Sequence, residues 1–318
     1  MHDSKVMFEK LFSKGGLTLE RLRGFMSMAE AGSIARAAPD DANRQSQISR
    51  QIRELEEFFD VELTRRKGRT LSLSPAGARL ASLIREQLQD LEDFRRDQRG
   101  LPKSFTIGAG ASVLEWLVVP ALPRLAELLG GATLLIQPMR SRSLAEAVSE
   151  GRADFAILRR DAIPAAKSVL PLVKLGFVIC IPERLIPQGV SDRQASHPSF
   201  WRDLPFAAGR DGGQLDLAIR AAMTDAGLSY RPRFECGSIL QARQLVDMGE
   251  CAAVLPALGL RGMDRKRIRV LPFAPMKGYG RGLVLHWNER QTRRRAVDAS
   301  TIQAMARSLA LTVKEPGP

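Results

Sequence analysis

The chain has 318 residues, 44% hydrophobic and 26% charged, enough apolar content for two or three packed domains. No window holds the roughly 18 uninterrupted apolar residues of a membrane span, and the opening "MHDSKVMFEKLFSKGG" lacks the apolar core of a signal peptide, so a cytoplasmic location without membrane association is expected. The net charge of +13 is unevenly placed: residues 1–100 carry 18 Lys/Arg against 16 Asp/Glu, a balance of +2 that leaves +11 for the remainder, so bulk charge does not locate a polyanion-binding segment.

In chain order, Leu19, Leu22, Phe25, Met26, Met28 and Ala29 recur near the helical period. Gly32 and Ser33 break the run, and a short helix through Ile34 to Ala38 ends at Pro39. Next, Ile48, Ile52, Leu55 and Phe59 fall at i, i+4, i+7 and i+11, one buried stripe that turns Gln45, Ser46, Ser49, Arg50 and Arg53 outward. Asp40 and Asp41 form the polar turn ahead of this helix. Asp41 or Asn43 caps it, where a carboxylate complements the helix dipole and Arg44 offsets the acids.

"VELTRRKGRTLSLSPAG" alternates apolar and polar residues around Lys67 and Gly68, as two short strands would, and Ser74 and Pro75 open a further helix. Leu80, Ile84, Leu88 (or Gln87), Leu91 and Phe94 give that helix a long apolar seam, which calls for a partner helix or for packing on its own domain. From Ser104 short strands alternate with helical patterns: "SFTIGA", "ATLLIQP", "DFAILR", "LGFVICIP", "LPFAAG", "PRFECGS", "CAAVLP", "IRVLPF" and "GLVLHW". This alternation predicts parallel sheets in an α/β fold of two halves, breaking near Pro182 and rejoined near 275–290. The basic runs "RGMDRKRIR" and "ERQTRRR" read as solvated faces.

A helix, a turn, an outward-polar helix and a basic hairpin make a winged helix-turn-helix, whose second helix enters the major groove of double-stranded DNA. Gln and Arg suit base edges, and Ser hydroxyls and the wing cations Arg65, Arg66, Lys67 and Arg69 suit phosphates or the minor groove. The alternative is a solvated helix face beside a charged hairpin.

The run from Leu19 to Leu80, with its Ala-Ala pair, "SRQI", "LE", a basic wing and "SPAG", resembles the DNA-binding region of LysR-type transcriptional regulators. "VVPALPRL", "GRADFAIL" and "LVDMGECAAVLP" are similar to landmarks of that family's effector domain, so the resemblance covers about residues 17 to 312. It implies an all-α winged helix-turn-helix over 17–74, a linker and dimerisation helix over 75–100, and a two-subdomain α/β effector domain over 101–318 resembling type 2 periplasmic binding proteins. Subdomain one would take about 104–180 and 280–312, and subdomain two about 181–279. It also implies a homodimer or homotetramer and a small effector held between the subdomains. The DNA contacts implied or read from the residues are Arg44, Gln45, Ser46, Ser49, Arg50 and Arg53 with the four wing cations. Departures from the family pattern are Asp41 for a core Leu, Arg44 for Ser, Asp60 for Gly and Thr64 for Phe. The first implies a remodelled turn and the last a smaller plug under the wing.

"FTIGAGASVLEWL" places Gly108, Gly110 and Ser112 between a strand and a helix, but Val113 occupies the third glycine position of a dinucleotide fingerprint, so NAD is rejected. The same geometry opens a helix N-terminus to an anion, and the resemblance puts this loop, Ser112, Val113 and Leu114, in the effector site. Ser141, Arg159, Arg210 and Ser238 stand at other strand ends that converge on the same crevice. Their arginines suggest an anionic metabolite, the alternative being surface charges beside the crevice. No G-x-S-x-G, H-E-x-x-H or P-loop occurs, and His2, His197 and His286 are scattered, so no enzyme, metal or cofactor is expected. Cys180, Cys236 and Cys251 fit reduced, packed thiols. The reading is a LysR-like transcription factor. Its rivals are a cytoplasmic small-molecule binding protein with weakened or lost operator specificity, and, disfavoured by the size of the cleft domain, an architectural DNA binder.

Overall fold

A computed structural model describes residues 11, 17–67, 70–163, 168–210, 214–228, 230, 232–277 and 281–314. The chain divides into two compact units, one of Met1–Leu101 with Ser149–Arg152 and one of Pro102–Val148 with Ala153–Pro318.

The first unit opens with α1 (Leu19–Ala31), capped by the Thr18 side chain and closed by Gly32 at φ 74°. A short α2 (Ile34–Ala37) and α3 (Ala42–Phe59) follow. Of the two candidate caps for α3 it is Asp41 whose carboxylate accepts from the Arg44 amide, at 2.8 Å. Strands β1 (Thr64–Lys67) and β2 (Thr70–Leu73) pair antiparallel, with Thr64 opposite Leu73. Then α4 (Pro75–Asp97) begins, capped by Ser74 with Pro75 in its first turn. Ile48, Ile52 and Leu55 are buried with Phe25, Met28, Leu63, Ala81 and Ile84 in one core, and Phe59 packs against it half-buried. The helical stripe thereby becomes the packing surface of the bundle.

Thr64, small where a plug under the wing was expected to shrink, is held by polar contacts instead. One oxygen of Glu56 accepts from the Leu63 amide at 2.8 Å, the Thr64 amide at 3.0 Å and the Thr64 hydroxyl at 3.1 Å. Those bonds tie the start of β1 to the last turn of α3.

The second unit contains two sheets. The first runs β4 (Thr133–Pro138), β3 (Ser104–Ala109), β5 (Phe155–Arg159), β12 (Arg281–Trp287), β6 (Val169–Leu175). Here β3 is parallel to β4 and β5, and β12 is antiparallel to β5 and β6. The second has β7 (Phe177–Pro182) between β10 (Ala253–Pro256) and β11 (Ile268–Pro272), both antiparallel to it. Parallel β8 (Ala207–Gly209) and β9 (Phe234–Cys236) join it through a bridge from Phe206 to Ala252. The sheets are therefore mixed, not parallel as expected, because the strand by which the chain crosses into each half, β7 in the second and β12 in the first, runs against its neighbours.

The first crossing between sheets falls at Gly176, earlier than the expected 180/181, because all of Phe177–Pro182 is bonded to β10 and β11. The return runs between the end of β11 at Pro272 and the start of β12 at Arg281. Strand β6 was not anticipated. Pro171 argues against a strand, yet on an edge its missing N–H costs no ladder bond.

Helices cover both faces of each sheet. In the first, α5 (Ala111–Val113), a π turn (Leu114–Val118) and α6 (Val119–Leu128) form a nearly continuous helix. With α13 (Ala299–Lys314) they share a core with Ile107, Phe155, Leu283 and Leu285, while α7 (Ser141–Ser149) packs on Ala156, Leu158 and Val284 on the other face. In the second, α10 (Gln214–Asp225) and α11 (Ile239–Asp247) take opposite faces, and the short α8 (Asp192–Ala195) and α9 (Pro198–Trp201) close one end.

The run "ERQTRRR" corrects the reading of a solvated face. It forms α12 (Glu289–Arg294) and buries Gln291, Thr292 and Arg295. The Arg295 guanidinium pairs with Asp154 at 2.7 Å, lies 4.0 Å from the centre of the Phe105 ring, and donates to the Ser104 carbonyl at 2.5 Å. Asp154 also accepts from the Thr106 amide at 2.7 Å. A buried charge needs such saturation to be tolerated.

Candidate functional site

Two regions collect the predicted side chains. On α3, at about 100° per residue, Ser46, Ser49, Arg50 and Arg53 lie opposite the buried stripe. Ser46, Arg50 and Arg53 are exposed and Ser49 is half-buried. Arg44 and Gln45 stand apart from this face. Gln45 donates its amide to the Ala38 carbonyl at 2.8 Å, fastening α3 to the end of α2. Arg44 donates to Gln47 at 2.7 Å, and Gln47 in turn to Glu20 of α1 at 3.1 Å.

A second crosslink runs from Arg21 to Glu54 at 2.5 Å, and Arg50 stands 3.7 Å from the other oxygen of Glu54. Glu20, Arg21, Gln47 and Glu54 were not singled out from sequence. Gln47 and Glu54 lie on the flank of α3 that faces Glu20 and Arg21 of α1, and only the fold makes the four neighbours. Arg65 and Arg66 are exposed on β1. The Lys67 side chain and Arg69 lie outside the described residues.

Asp40 and Asp41, the acids of the turn ahead of α3, are both exposed. Asp40 takes a left-handed conformation at φ 59°, and Asp41 is the cap. An anion at that position complements the helix N-terminus rather than opposing the cations further along.

The second region lies in the α/β unit. Strand β3 leads into α5 and strand β9 into α11, whose N-cap Ser238 accepts from the Gln241 amide at 3.4 Å. These two helices pack on one another, and Ile239 and Leu240 lie against the cluster that holds Leu114, Trp116 and Leu117. Ser112, Val113 and Ser238 thus stand on helices that pack together, each half-buried, while Leu114 is directed into the core. Arg210, exposed at the end of β8, donates its amide to the Cys236 carbonyl at 2.8 Å, which sets it beside the turn to Ser238. Arg159, at the end of β5, is mostly covered and pairs with Asp161 at 2.9 Å. Ser141 opens α7, and its side chain lies outside the described residues.

Three further features escaped the sequence. A Cβ on Gly259 would come within 3.0 Å of the Trp116 indole, so the two subdomains touch there with no side chain between. Arg243 of α11, buried, donates to the carbonyls of Gly259 and Arg261 and pairs with Asp247 at 2.8 Å, which fixes that loop. Asp216 pairs with Arg220 at 2.7 Å while its other oxygen is buried without a hydrogen-bond partner among the described residues. Desolvation, with Asp216 nearby, pushes the Tyr230 phenol up.

The three thiols are buried and unpaired. Burial pushes Cys180 and Cys251 up to about 12, and raises Cys236. Among the described residues no cluster of His, Cys, Asp or Glu could hold a metal ion, and no helix is long and apolar enough to cross a membrane.

Both units are similar to known proteins. The family model described as "Bacterial regulatory helix-turn-helix protein, lysR family" matches residues 19–78, and that described as "LysR substrate binding domain" matches residues 98–305. A "Probable hydrogen peroxide-inducible genes activator" of Mycobacterium avium is 25% identical over 274 residues, covering 84% of this chain and 87% of that protein. A "Probable nitrogen assimilation transcriptional activator" of Synechococcus elongatus is 24% identical over 254 residues, covering 77% and 80%. Among solved structures, full-length OxyR from Pseudomonas aeruginosa superposes with a TM-score of 0.58 at 20% identity, covering 93% of this chain and 95% of that one. The LysR family regulator CbnR gives 0.56 at 17% identity, covering 92% and 99%.

Proposed function

This chain belongs to the LysR family of bacterial transcriptional regulators, and from that premise we propose how its residues divide the work. Residues 17–74 form the DNA-reading head, 75–100 the helix through which copies associate, and 101–318 the effector domain. The observation that carries this reading is the exposed face of α3, where Ser46, Ser49, Arg50 and Arg53 stand opposite the core with no apolar side chain among them. Arg50 and Ser49 read base edges, Arg53, Arg65 and Arg66 hold phosphates, and Gln45 must release Ala38 to reach DNA.

The effector is a small anion bound between the subdomains, held by the amides and hydroxyls of Ser112 and Ser238 and drawn in by Arg210. Its binding shifts the population of two arrangements of the effector domain and so alters contact with the operator. The protein is a cytoplasmic regulator without catalytic activity.

The peroxide response named for the mycobacterial relative is not carried over. A sensing thiol must be accessible and partly ionised, and here burial holds all three protonated near neutral pH.

The test is a salt-dependent shift assay with operator DNA. Arg50→Ala should cost about 1–3 kcal/mol and relax preference at one base of each half-site. Arg65→Ala should weaken all sequences alike and lower the salt slope by about 1. Unchanged sequence preference in Arg50→Ala would remove the recognition role from α3.

A further inference from the structure

The margin of the first sheet formed by β6 and β12 carries a cavity that the regulatory reading does not use. It has a volume of about 590 Å³, within the range of small-molecule sites. Arg160, Val169, Pro171, Lys174, Gly282 and Val284 are among its lining residues.

Its position follows from register. Val284 pairs with Pro171, Gly282 with Lys174 and His286 with Val169. The ladder slips between Leu283 and Val284, so that Leu172 has no partner and the strand bulges. Val284 packs with Leu158 and Ala156, on the face opposite α13. On that face α7 covers Ala156, Leu158 and Val284, but Val169 and Pro171 keep partial or full exposure. Gly282 deepens the gap, since a Cβ there would meet only the Arg160 Cβ, at 3.8 Å.

Two cations flank this apolar floor. Arg160 and Lys174 are both exposed, and among the described residues neither has a carboxylate partner. The nearest acid in sequence, Asp161, is engaged by Arg159 at 2.9 Å. One Arg160 nitrogen donates to the Ile163 carbonyl at 3.1 Å, which steadies the guanidinium, and among the described residues its other N–H groups have no hydrogen-bond partner. Apolar walls with an Arg fork on one side and an ammonium on the other complement a single anionic group on an apolar body.

We infer that this cavity is a second small-molecule site, which binds an amphipathic monoanion such as a medium-chain or ring carboxylate. The carboxylate meets Arg160 and Lys174, and the apolar body lies over Gly282 against Val169, Pro171 and Val284. The site is separate from the crevice at Ser112 and Ser238, because neither of those residues nor any residue of α5 or α11 lines it. It stands whether or not the crevice takes an anion.

The test is calorimetric titration of the full chain with octanoate, with octylamine as the cation of equal length. Octanoate should bind saturably at one site, at least about tenfold more tightly than octylamine. Gly282→Val fills the floor with a residue suited to a strand, and should weaken octanoate by about tenfold or more. The double substitution R160Q/K174Q changes only exposed groups, so it tests the same site should Gly282→Val fail to fold. It should weaken octanoate as much, whereas Ser238→Ala in the crevice should leave it unchanged. Absence of saturable binding would overturn the inference. So would octanoate binding that survives both cavity variants, or binding that Ser238→Ala removes.

Discussion

Gly77 has no room for a methyl group. A Cβ there would stand 2.0 Å from the Leu63 carbonyl oxygen and 2.9 Å from its carbon, and both belong to backbone held in place. The same carbonyl accepts from the Ser74 amide at 3.0 Å, and the Leu63 amide is bound to Glu56. The "SPAG" sequence thus has a physical content: Ser caps, Pro starts the helix, and Gly lets α4 sit directly on the backbone that enters the wing. Alanine would gain about 1 kcal/mol of helix propensity, but overpacking against fixed backbone costs about 1–3 kcal/mol or more, so the clash wins. Gly77→Ala should therefore destabilise the first unit by about 2 kcal/mol in urea denaturation. Gly24 gives the contrast, since its nearest neighbour is the far end of the Gln51 side chain, which can swing away. If Gly77→Ala proved as mild as Gly24→Ala, the close approach of α4 to Leu63 would be wrong.

At the scale of the element, α4 changes character along its length. Its first half buries Ala81 and Ile84 in the core of the head, whereas Leu88, Leu91 and Phe94 further on are exposed, Phe94 by 64%. A helix with an apolar seam that its own unit does not cover is stabilised by a partner helix. The sequence left open whether the seam packs at home or on another copy. The structure divides it, with the early residues at home and the late ones uncovered. Leu91→Asp with Phe94→Asp should leave the head folded, because neither residue touches its core, and should shift the chain toward monomer in sedimentation at micromolar concentration. Operator affinity should fall with it, since two linked heads bind far more tightly than one. A variant that sediments like the wild type would place the association surface elsewhere.

At the scale of the molecule, what the sequence disclosed and what it hid divide by range. Local periodicity located α1, α3, α4 and most of the strands, and the outward stripe on α3 needed only the 3.6-residue repeat. Strand β6 was hidden by Pro171, and the crossing at Gly176 by the run "LGFVICIP", whose Leu175 pairs with β12 while Phe177–Pro182 pair with β10 and β11. The burial of Arg295 was hidden because Asp154 and Phe105 are far away in sequence. The contact that joins the two subdomains is of this long-range kind. Leu258 of the second subdomain lies in the core of the first, the Ala257 amide donates to the carbonyl of Gly176 at 3.0 Å, and Gly259 meets Trp116. Because Arg243 holds the Gly259 carbonyl, the loop cannot retreat from an added methyl group, and the indole or the angle between subdomains must yield. Gly259→Ala should therefore cost about 1–3 kcal/mol of stability and shift Trp116 emission to the red, read as the difference between variants with and without Trp116→Phe. If this contact is the pivot on which the crevice opens, the same substitution should change operator affinity without effector, within the about 1–3 kcal/mol of ordinary allosteric coupling. Gly110→Ala, where a Cβ meets nothing within 4 Å, is the matched control. A Gly259→Ala protein with altered emission but unchanged operator affinity would show that the contact supports the fold without transmitting the signal.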